Sequence, residues 1–542
     1  MNDMAEKKKK PSFVTEFELI VTSQAEKELD ARFKSGRHLY NAVLGEAIIR
    51  VQQVPNSEPY QEAKKIKVKS DDDNKLRNEL FATARKQLRF SDFELQEFAT
   101  ITAKSAKWIA EKLDSHTIQK IGTRAFKAAE RVLFGKARKV RFKSFHAFHS
   151  LESKTNASGI RFFGGNDCCI KWGKNLTIPI RFPNKWNEVL EYGYRSPVKY
   201  CRILWREING KRRWYVQLIN EGVPYKETPA YKLHNKVNPN TGLVGIDLNV
   251  SNVAVVSDDK AGLLPFAENV PTFEQEIKTL QRKMERSRRA TNLDNYEPDF
   301  EKRVGRNNKR KKGKVKKGSR RWRQSNAYKK YARKKHELER KKAAYSKSKN
   351  RGLANKIVRD FGNNIKAEKV SVRAWQRRYG KAISAKSPGF FQSELARKAE
   401  SAGGKFTTFS TNKTALSQTH LDGTRMKKSL SERVHKDASG FEMQRDLFSA
   451  YLSRYVNDNS ELNVSQARRD WERTEPFLTQ AWSEFKTAST KTSSKSGGVI
   501  SPAEQNCVKT KQPNQIALNK GKKLGKNGVR NNSVVSPLTP SL

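Results

Sequence analysis

The sequence predicts a multidomain α+β protein, on three observations. Its 542 residues suffice for about three domains. The apolar periodicity switches twice, from alternating to helical and back to alternating. A Pro/Asn/Gly linker, HNKVNPNTG at 234–242, then sets off a third segment that opens on a strand, a tight polar turn and a second strand.

The elements follow in order. Residues 13–22, FVTEFELIVT, alternate apolar and polar as a strand does. Ser23-Gln24-Ala25-Glu26 reads as a capping box that opens a helix, with Tyr40, Leu44, Ala47, Ile48 and Val51 on one face. A charged break is expected over 61–75, around Asp71-Asp72-Asp73. A second capping box, Ser91-Asp92-Phe93-Glu94, starts helical patterning that runs to about Leu133. Residues 1–22 are thus a basic N-terminus and first strand, and 23–134 a helical bundle inserted after it. Residues 135–233 return to short β-like runs: GIRFFG, CCIKW, LTIPIRF, KYCRILWREI and KRRWYVQLIN. Asn209-Gly210 between the last two is a hairpin signal. These runs read as a β-barrel or sandwich completed by the strand at 13–22. From about 485 to 542 the chain is Lys, Ser, Asn, Gly and Pro with almost no aromatic residues, and a disordered basic tail is expected.

Charge bounds the function. The chain holds 110 Lys+Arg against 56 Asp+Glu, a net charge of +54, which calls for a polyanionic partner. Nucleic acid is the first candidate and a membrane surface a weak second. The apolar fraction, 36%, is below the usual range of about 45–50%, yet nine Trp, 27 Phe and 15 Tyr exclude disorder throughout. No run approaches the ~18 apolar residues of a membrane span. The start, MNDMAEKKKKPSF, lacks the apolar core of a secretory signal. Cys168, Cys169, Cys201 and Cys507 form no CxxC pair, so no disulfide framework is expected, and a cytoplasmic, nucleoid-associated location fits. The basic and aromatic residues interleaved in GKARKVRFKSFHAFHS and the β runs suit RNA or single-stranded DNA, although most of the aromatics also serve as core. Lys302 to Arg340 carries 19 Lys/Arg in 39 residues with only Glu337 and Glu339 as acids. Its second half reads as a helix, either a solvated face or one that contacts phosphates. The nucleic-acid-binding candidates are Arg320, Arg321, Arg323, Lys329, Lys330, Arg333 and Lys334.

In so basic a chain, acids set among apolar residues stand out. Asp247 interrupts Leu243-Val244-Gly245-Ile246 and Leu248; a buried carboxylate there must be paired, protonated or metal-bound, although a strand-edge Asp facing water gives the same pattern. Gly245 permits close approach of another element. Glu368 lies in IKAEKVSV, which equally describes an exposed strand face. Asp446 opens the amphipathic stretch QRDLFSAYLSRYV, where the helix dipole alone favours an acid. The order is more telling than any one of them. An RNase H-like fold builds its metal site from a strand–hairpin Asp, a later strand Glu and a helix Asp, and Mg²⁺ takes such hard oxygen ligands.

At these residues the third segment resembles the TnpB/OrfB proteins of insertion sequences, relatives of type V CRISPR effectors. The resemblance runs in order through GLVGIDLNVSNVAVVS, LQRKMERSRRATNLDNY, KKGSRRWRQSNAYKK, GNNIKAEKVSVRAWQRRYGKAI, SPGFFQSELARKAESAGGKF, TALSQTHLDG, KKSLSERVH and QRDLFSAYLSRYV. It is strong over about 240–460 and weaker over 13–230, through HLYNAVL and SLESKTNASGIRF. It implies a helical recognition lobe inserted in a wedge-type β-barrel, followed by a split RuvC-like nuclease domain at 243–460. It implies a guide RNA, double- and single-stranded DNA as partners, and two Mg²⁺ ions at an acidic triad that falls on Asp247, Glu368 and Asp446. The implied activity is an RNA-guided DNA endonuclease of a transposable element, a transposase-associated protein in family terms. The alternatives are a nuclease-weak RNA-guided DNA-binding relic and a CRISPR type V-like effector. One departure is large. Where the family places a zinc ribbon, at about 416–440, the four ligand positions read His420, Asp422, Asp437 and Ser439. Two carboxylates and a Ser make a poor zinc site, with His435 nearby as a substitute, so zinc is not expected. The segment is then expected to be held only by apolar contacts such as Leu416, Leu421, Leu430 and Val434.

Overall fold

The computed structural model describes residues 11–495 except 166, 174, 185, 235–241, 305–306, 319–320 and 430–431. Arg320, Leu430, Cys507 and the tail beyond 495 lie outside the described residues.

The first half contains β1 (Ser12–Leu19), α1 (Ser23–Gln53), α2 (Glu58–Lys65), α3 (Asp71–Gln87), α4 (Asp92–Ser105), α5 (Lys107–Ala110) and α6 (Ser115–Leu133). There follow β2 (Ser150–Glu152), β3 (Ile160–Phe163), β4 (Cys169–Trp172), β5 (Thr177–Arg181), α7 (Glu188–Arg195), β6 (Val198–Ile208), β7 (Lys211–Glu221) and α8 (Pro229–His234). Seven strands form one antiparallel sheet in the order β2-β6-β7-β1-β5-β4-β3. It curls until β3 touches β6, but among the described residues no ladder joins its edges. The sheet is therefore a half-barrel, not a closed barrel. β6 and β7 form a two-residue hairpin in which Asn209 and Gly210 both have positive φ (52° and 70°), as a type I′ turn demands.

Two local expectations shift. α1 is capped by Thr22, whose hydroxyl accepts the Ala25 N–H, so the cap sits one residue before Ser23. The charged stretch at 61–75 is no break throughout: Asp71, Asp72 and Asp73 are the first turn of α3, and Ser70 and Asp73 form a full capping box. Ser91 caps α4, as its sequence signal suggests. The helices share one apolar core with the half-barrel. Phe33 of α1 meets Trp214 of β7 edge-on at 5.2 Å, and the Trp172 indole donates to Asp114, the cap of α6, at 2.9 Å.

The second half comprises β8 (Leu243–Leu248), β9 (Asn252–Val256), β10 (Ala261–Pro265), α9 (Glu274–Thr291), β11 (Phe300–Val304), β12 (Asn307–Lys311), α10 (Asn326–Asp360) and β13 (Asn364–Glu368). It continues with α11 (Val372–Lys386), α12 (Pro388–Ser401), β14 (Phe406–Phe409), α13 (Thr411–Thr414), β15 (Val434–Lys436), β16 (Glu442–Gln444), α14 (Arg445–Ser453), α15 (Val464–Arg469) and α16 (Trp471–Lys495). Its main sheet is mixed, in the order β10-β9-β8-β13-β14. β8, β9 and β10 are antiparallel neighbours, whereas β13 runs parallel to both β8 and β14. On one face Val244, Ile246 and Val255 pack with Ile357 of α10 and Phe391 of α12. On the other, Ala254 and Leu263 pack with Leu447 and Phe448 of α14 and Leu478 of α16. Helix α16 extends to Lys495, so the expected tail boundary at 485 falls inside a helix. No helix among the described residues is long and apolar enough to cross a membrane.

Candidate active site

Strand parity brings the three acids to one face. In β8, Val244, Ile246 and Leu248 enter the core on the α10/α12 side, so Gly245 and Asp247 point to the α14 side. In β13, Ile365 and Ala367 enter the same core, so Lys366 and Glu368 point with Asp247. Ile246 pairs with Ala367, so one step further along the parallel strands Asp247 and Glu368 stand in register. Helix α14 lies across this face, and Gly245 shows how closely. A Cβ at Gly245 would meet the Ala450 carbonyl oxygen at 1.9 Å. Nine residues of α14, Arg445 to Ser453, are all buried, and Asp446 in its first turn is 3% exposed. Lys366 holds the far end of the helix, donating to the Val456 carbonyl at 2.6 Å and the Arg454 carbonyl at 3.3 Å.

The other two acids act on Asp247. Burial first, then the charges of Asp446 and Glu368, push the Asp247 pKa well above its ordinary value. Arg445 and Arg433 oppose this without cancelling it. Burial alone takes Glu368 up to about 7. Carboxylates of this kind on one face, with only Arg445 and Arg433 near them as cations among the described residues, are the residues here that could hold a hard divalent cation such as Mg²⁺.

Four neighbours of the triad escaped sequence reasoning. Asn249 and Gln444 donate their side-chain amides to the same oxygen of Asp446, Oδ2, at 3.0 and 3.1 Å, which fixes that carboxylate's orientation. Gln444 also caps α14 by accepting the Leu447 N–H at 2.7 Å. Arg445 lies 3.6 Å from Asp446 Oδ1 and Arg433 4.0 Å from Oδ2. The only signal available was position: each amide stands two residues from a candidate acid.

The ribbon remnant differs from its expected donor set. His420 and Asp437 meet, but Asp422 turns outward to accept from Thr424, and Ser439 only donates to Asp437 Oδ1 at 2.8 Å. His435, fully buried, takes their place. His420, His435 and Asp437 put three ligand-type atoms within 4.8 Å of one another. Those atoms already have proton donors. Lys428 donates to His435 Nδ1 at 2.8 Å, which leaves the ring proton on Nε2, aimed at Asp437 Oδ2 at 3.0 Å. The same oxygen accepts the Leu421 N–H at 2.9 Å, and Ala438 N–H points at His420 Nδ1 at 3.0 Å. Hydrogen bonds from His435, Leu421 and Ser439 outweigh burial and hold the Asp437 carboxyl down at about 2. The donor set thus does not fit a closed thiolate-type zinc site. The segment is stitched by a buried polar network, beyond the apolar contacts expected. His435 also packs on Phe448 of α14 at 4.3 Å between ring centroids, so this network braces the helix that carries Asp446.

The basic candidates separate in space. Arg321 and Arg323 are exposed in the irregular lead-in to α10, and their carbonyls are tied down by Asn295 and Asn292. Lys329, Lys330, Arg333 and Lys334 are exposed on α10 itself. Arg321→Gln with Arg323→Gln is expected to weaken nucleic-acid binding equally across sequences and to make the log–log salt slope shallower by up to about two. Salt titration of binding decides this: an unchanged slope places both side chains in bulk solvent.

Two solved structures are similar to the chain. One is the cryo-EM structure of the Cas12f1-sgRNA-target DNA complex, with a TM-score of 0.42 and 12% identity over 81% of this chain and 98% of that chain. The other is the cryo-EM structure of a CRISPR-Cas12f ternary complex, with a TM-score of 0.25 and 13% identity over 82% of this chain and 83% of that chain. No family model matches the chain, and no curated protein matches it.

Proposed function

We propose that the protein is an RNA-guided, Mg²⁺-dependent DNA endonuclease with a RuvC-like centre at Asp247, Glu368 and Asp446, of the kind transposable elements encode. The observation that carries this reading is the convergence of those acids on the α14 face of a mixed sheet whose strand order, β10-β9-β8-β13-β14, suits an RNase H-like fold. Bound Mg²⁺ supplies the charge that activates a water and stabilises the leaving oxygen of a phosphodiester. The chain's own residues hold the site: Asn249 and Gln444 orient Asp446, Lys366 holds the C-terminal end of α14, and His435 packs on Phe448 within it. The half-barrel and its helical insert serve as the wedge and recognition lobe that hold a guide RNA. The bracing of α14 without thiolates favours an active nuclease over a relic. The test is to sequence the RNA that co-purifies with the protein and then assay cleavage of DNA matching it. No co-purifying RNA, or no cut in matched DNA with Mg²⁺ present, overturns the reading.

The triad also sets a pH dependence. The Glu368 pKa, about 7 in the folded metal-free protein, lies above its ordinary 4.5. Folding therefore favours the protonated group. That contribution is complete below about 4.5 and is lost as pH rises through about 7. Mg²⁺ needs the carboxylate, so its binding strengthens across the same window. The rise in Tm produced by saturating Mg²⁺ is expected to be about 3–6 °C larger at pH 8 than at pH 6, and Glu368→Gln should remove the difference. Equal shifts at both pH values would refute the assignment.

A further inference from the structure

A cleft of about 680 Å³ opens between the half-barrel and α10, within the size range of small-ligand sites. One wall is the end of β6, at Trp205 and Arg206, with His146 and His149 beside it. The other is α10. Lys329, Arg333, His336 and Arg340 recur there at helical spacing and all line the cleft. Glu337 of the same helix accepts the Asn209 backbone N–H at 3.2 Å, which pins the hairpin tip against α10 and fixes the width of the opening.

The lining has two distinct chemistries. Its cations are unequally engaged: Arg206 pairs with Glu16 at 2.6 Å and Arg340 with Glu337 at 2.7 Å. Lys329 and Arg333 have no acidic partner among the described residues, and Glu207 is the one acid on the cleft wall. Two free cations one helical turn apart suit successive phosphates. The second chemistry is imidazole. Three of the chain's eight histidines, His146, His149 and His336, meet in this one cleft. Burial and the nearby Arg124 and Lys143 push His149 below its ordinary pKa. It stands edge-on to Trp205 at 5.5 Å. Imidazoles offer a ring face for a base and ring nitrogens for its polar edge. A duplex keeps its bases inside the stack, so only an unpaired nucleotide can present base and phosphates together to such an opening.

We propose that this cleft holds one unpaired nucleotide of a single strand, its base among His146, His149 and His336 and its flanking phosphates on Lys329 and Arg333. The inference rests on the nucleic-acid-guided reading above and names a place where a guide or displaced strand is gripped. The test uses the full chain and fluorescence anisotropy with a short single-stranded RNA, the DNA of the same sequence and the matching duplex. His146 and His336 are both exposed, so His146→Ala with His336→Ala should leave the melting curve in place. That pair should weaken both single strands about tenfold, the size of one base-stacking contact, and the duplex less than about twofold. Lys329→Gln with Arg333→Gln should weaken all three ligands and flatten the salt slope by up to about two. A preference for RNA over DNA in the parent assigns the cleft to the guide; equal loss of both strands assigns it to either. The proposal is overturned if the histidine pair binds single strands like the parent, or loses duplex as much as single strand. If that happens while RNA-matched DNA is still cut, the cleft fails and the nuclease reading stands. Selective loss of single strands in a protein that cuts no matched DNA is the reverse.

Discussion

Asp247→Ala is expected to lower Mg²⁺-dependent cleavage of RNA-matched DNA by at least about three orders of magnitude, while guide-RNA binding stays within about threefold. Asp247 is the penultimate residue of β8, and its carboxyl is the one raised by both other acids of the site. Losing such a metal ligand raises the barrier by several kcal/mol, and each 1.4 kcal/mol is about tenfold in rate. RNA binding is spared because the basic helix α10 packs on the opposite face of the sheet. Stability should move the other way. A carboxyl whose pKa burial and two neighbouring acids hold up is a liability to the metal-free fold at neutral pH, so Asp247→Asn should melt at or above the parent's Tm without Mg²⁺. Cleavage undiminished at saturating Mg²⁺ would remove Asp247 from the site. A large fall in Tm would instead give it a structural role.

How much of this was legible in the sequence depends on where each residue's partners lie. Asp247 could be found because it interrupts a local apolar run, but Glu368 and Asp446 stood out only through the order of the three acids and the family resemblance; period-two alternation then says which face of β8 and β13 the strand acids take. The Asn209-Gly210 turn was equally local, since both of its φ angles follow from the two residues themselves. Asn249 was not legible as a site residue, because the oxygen it donates to belongs to Asp446, 197 residues away. In the ribbon remnant the family's ligand positions included Asp422 and Ser439, which lie outside the cluster; His435, named from sequence only as a nearby substitute, enters it because its pairing with Met443 in the β15–β16 hairpin turns it inward. The run Asp71-Asp72-Asp73 reads as a break by charge alone; Ser70 as a cap makes it the start of a helix. The cleft of three histidines joins residues 146, 149 and 336 from segments whose meeting no local pattern announces.

Gly245→Ala is expected to be strongly damaging, because one added methyl presses the sheet against the helix that carries Asp446. The β8 backbone at Gly245 is ordinary strand, so the substitution costs nothing in φ; the whole effect comes from the space on the α14 side. The added Cβ would lie 1.9 Å from the Ala450 carbonyl oxygen, 2.4 Å from Ser453 Oγ and 2.8 Å from Arg454 Cγ. Two of these are side chains that can turn away, but the first is backbone in the middle of a helix buried along its length. Relief therefore requires α14 to lift from β8, which disturbs Leu447 and Phe448 in the core and moves Asp446 relative to Asp247. Overpacking of this kind costs about 1–3 kcal/mol where neighbours can yield, and more where backbone must move. A loss of about 4 kcal/mol corresponds to a fall in Tm of roughly 8–16 °C for a unit of this size. Cleavage should fall with it even well below the new Tm, because the site tolerates little displacement of one carboxylate. Thermal melts of Gly245→Ala and Asp247→Asn measured side by side separate the two effects: the first should lose stability and activity together, the second activity alone. A Gly245→Ala protein that melts within about 1 °C of the parent would show that α14 does not press on β8 at this point.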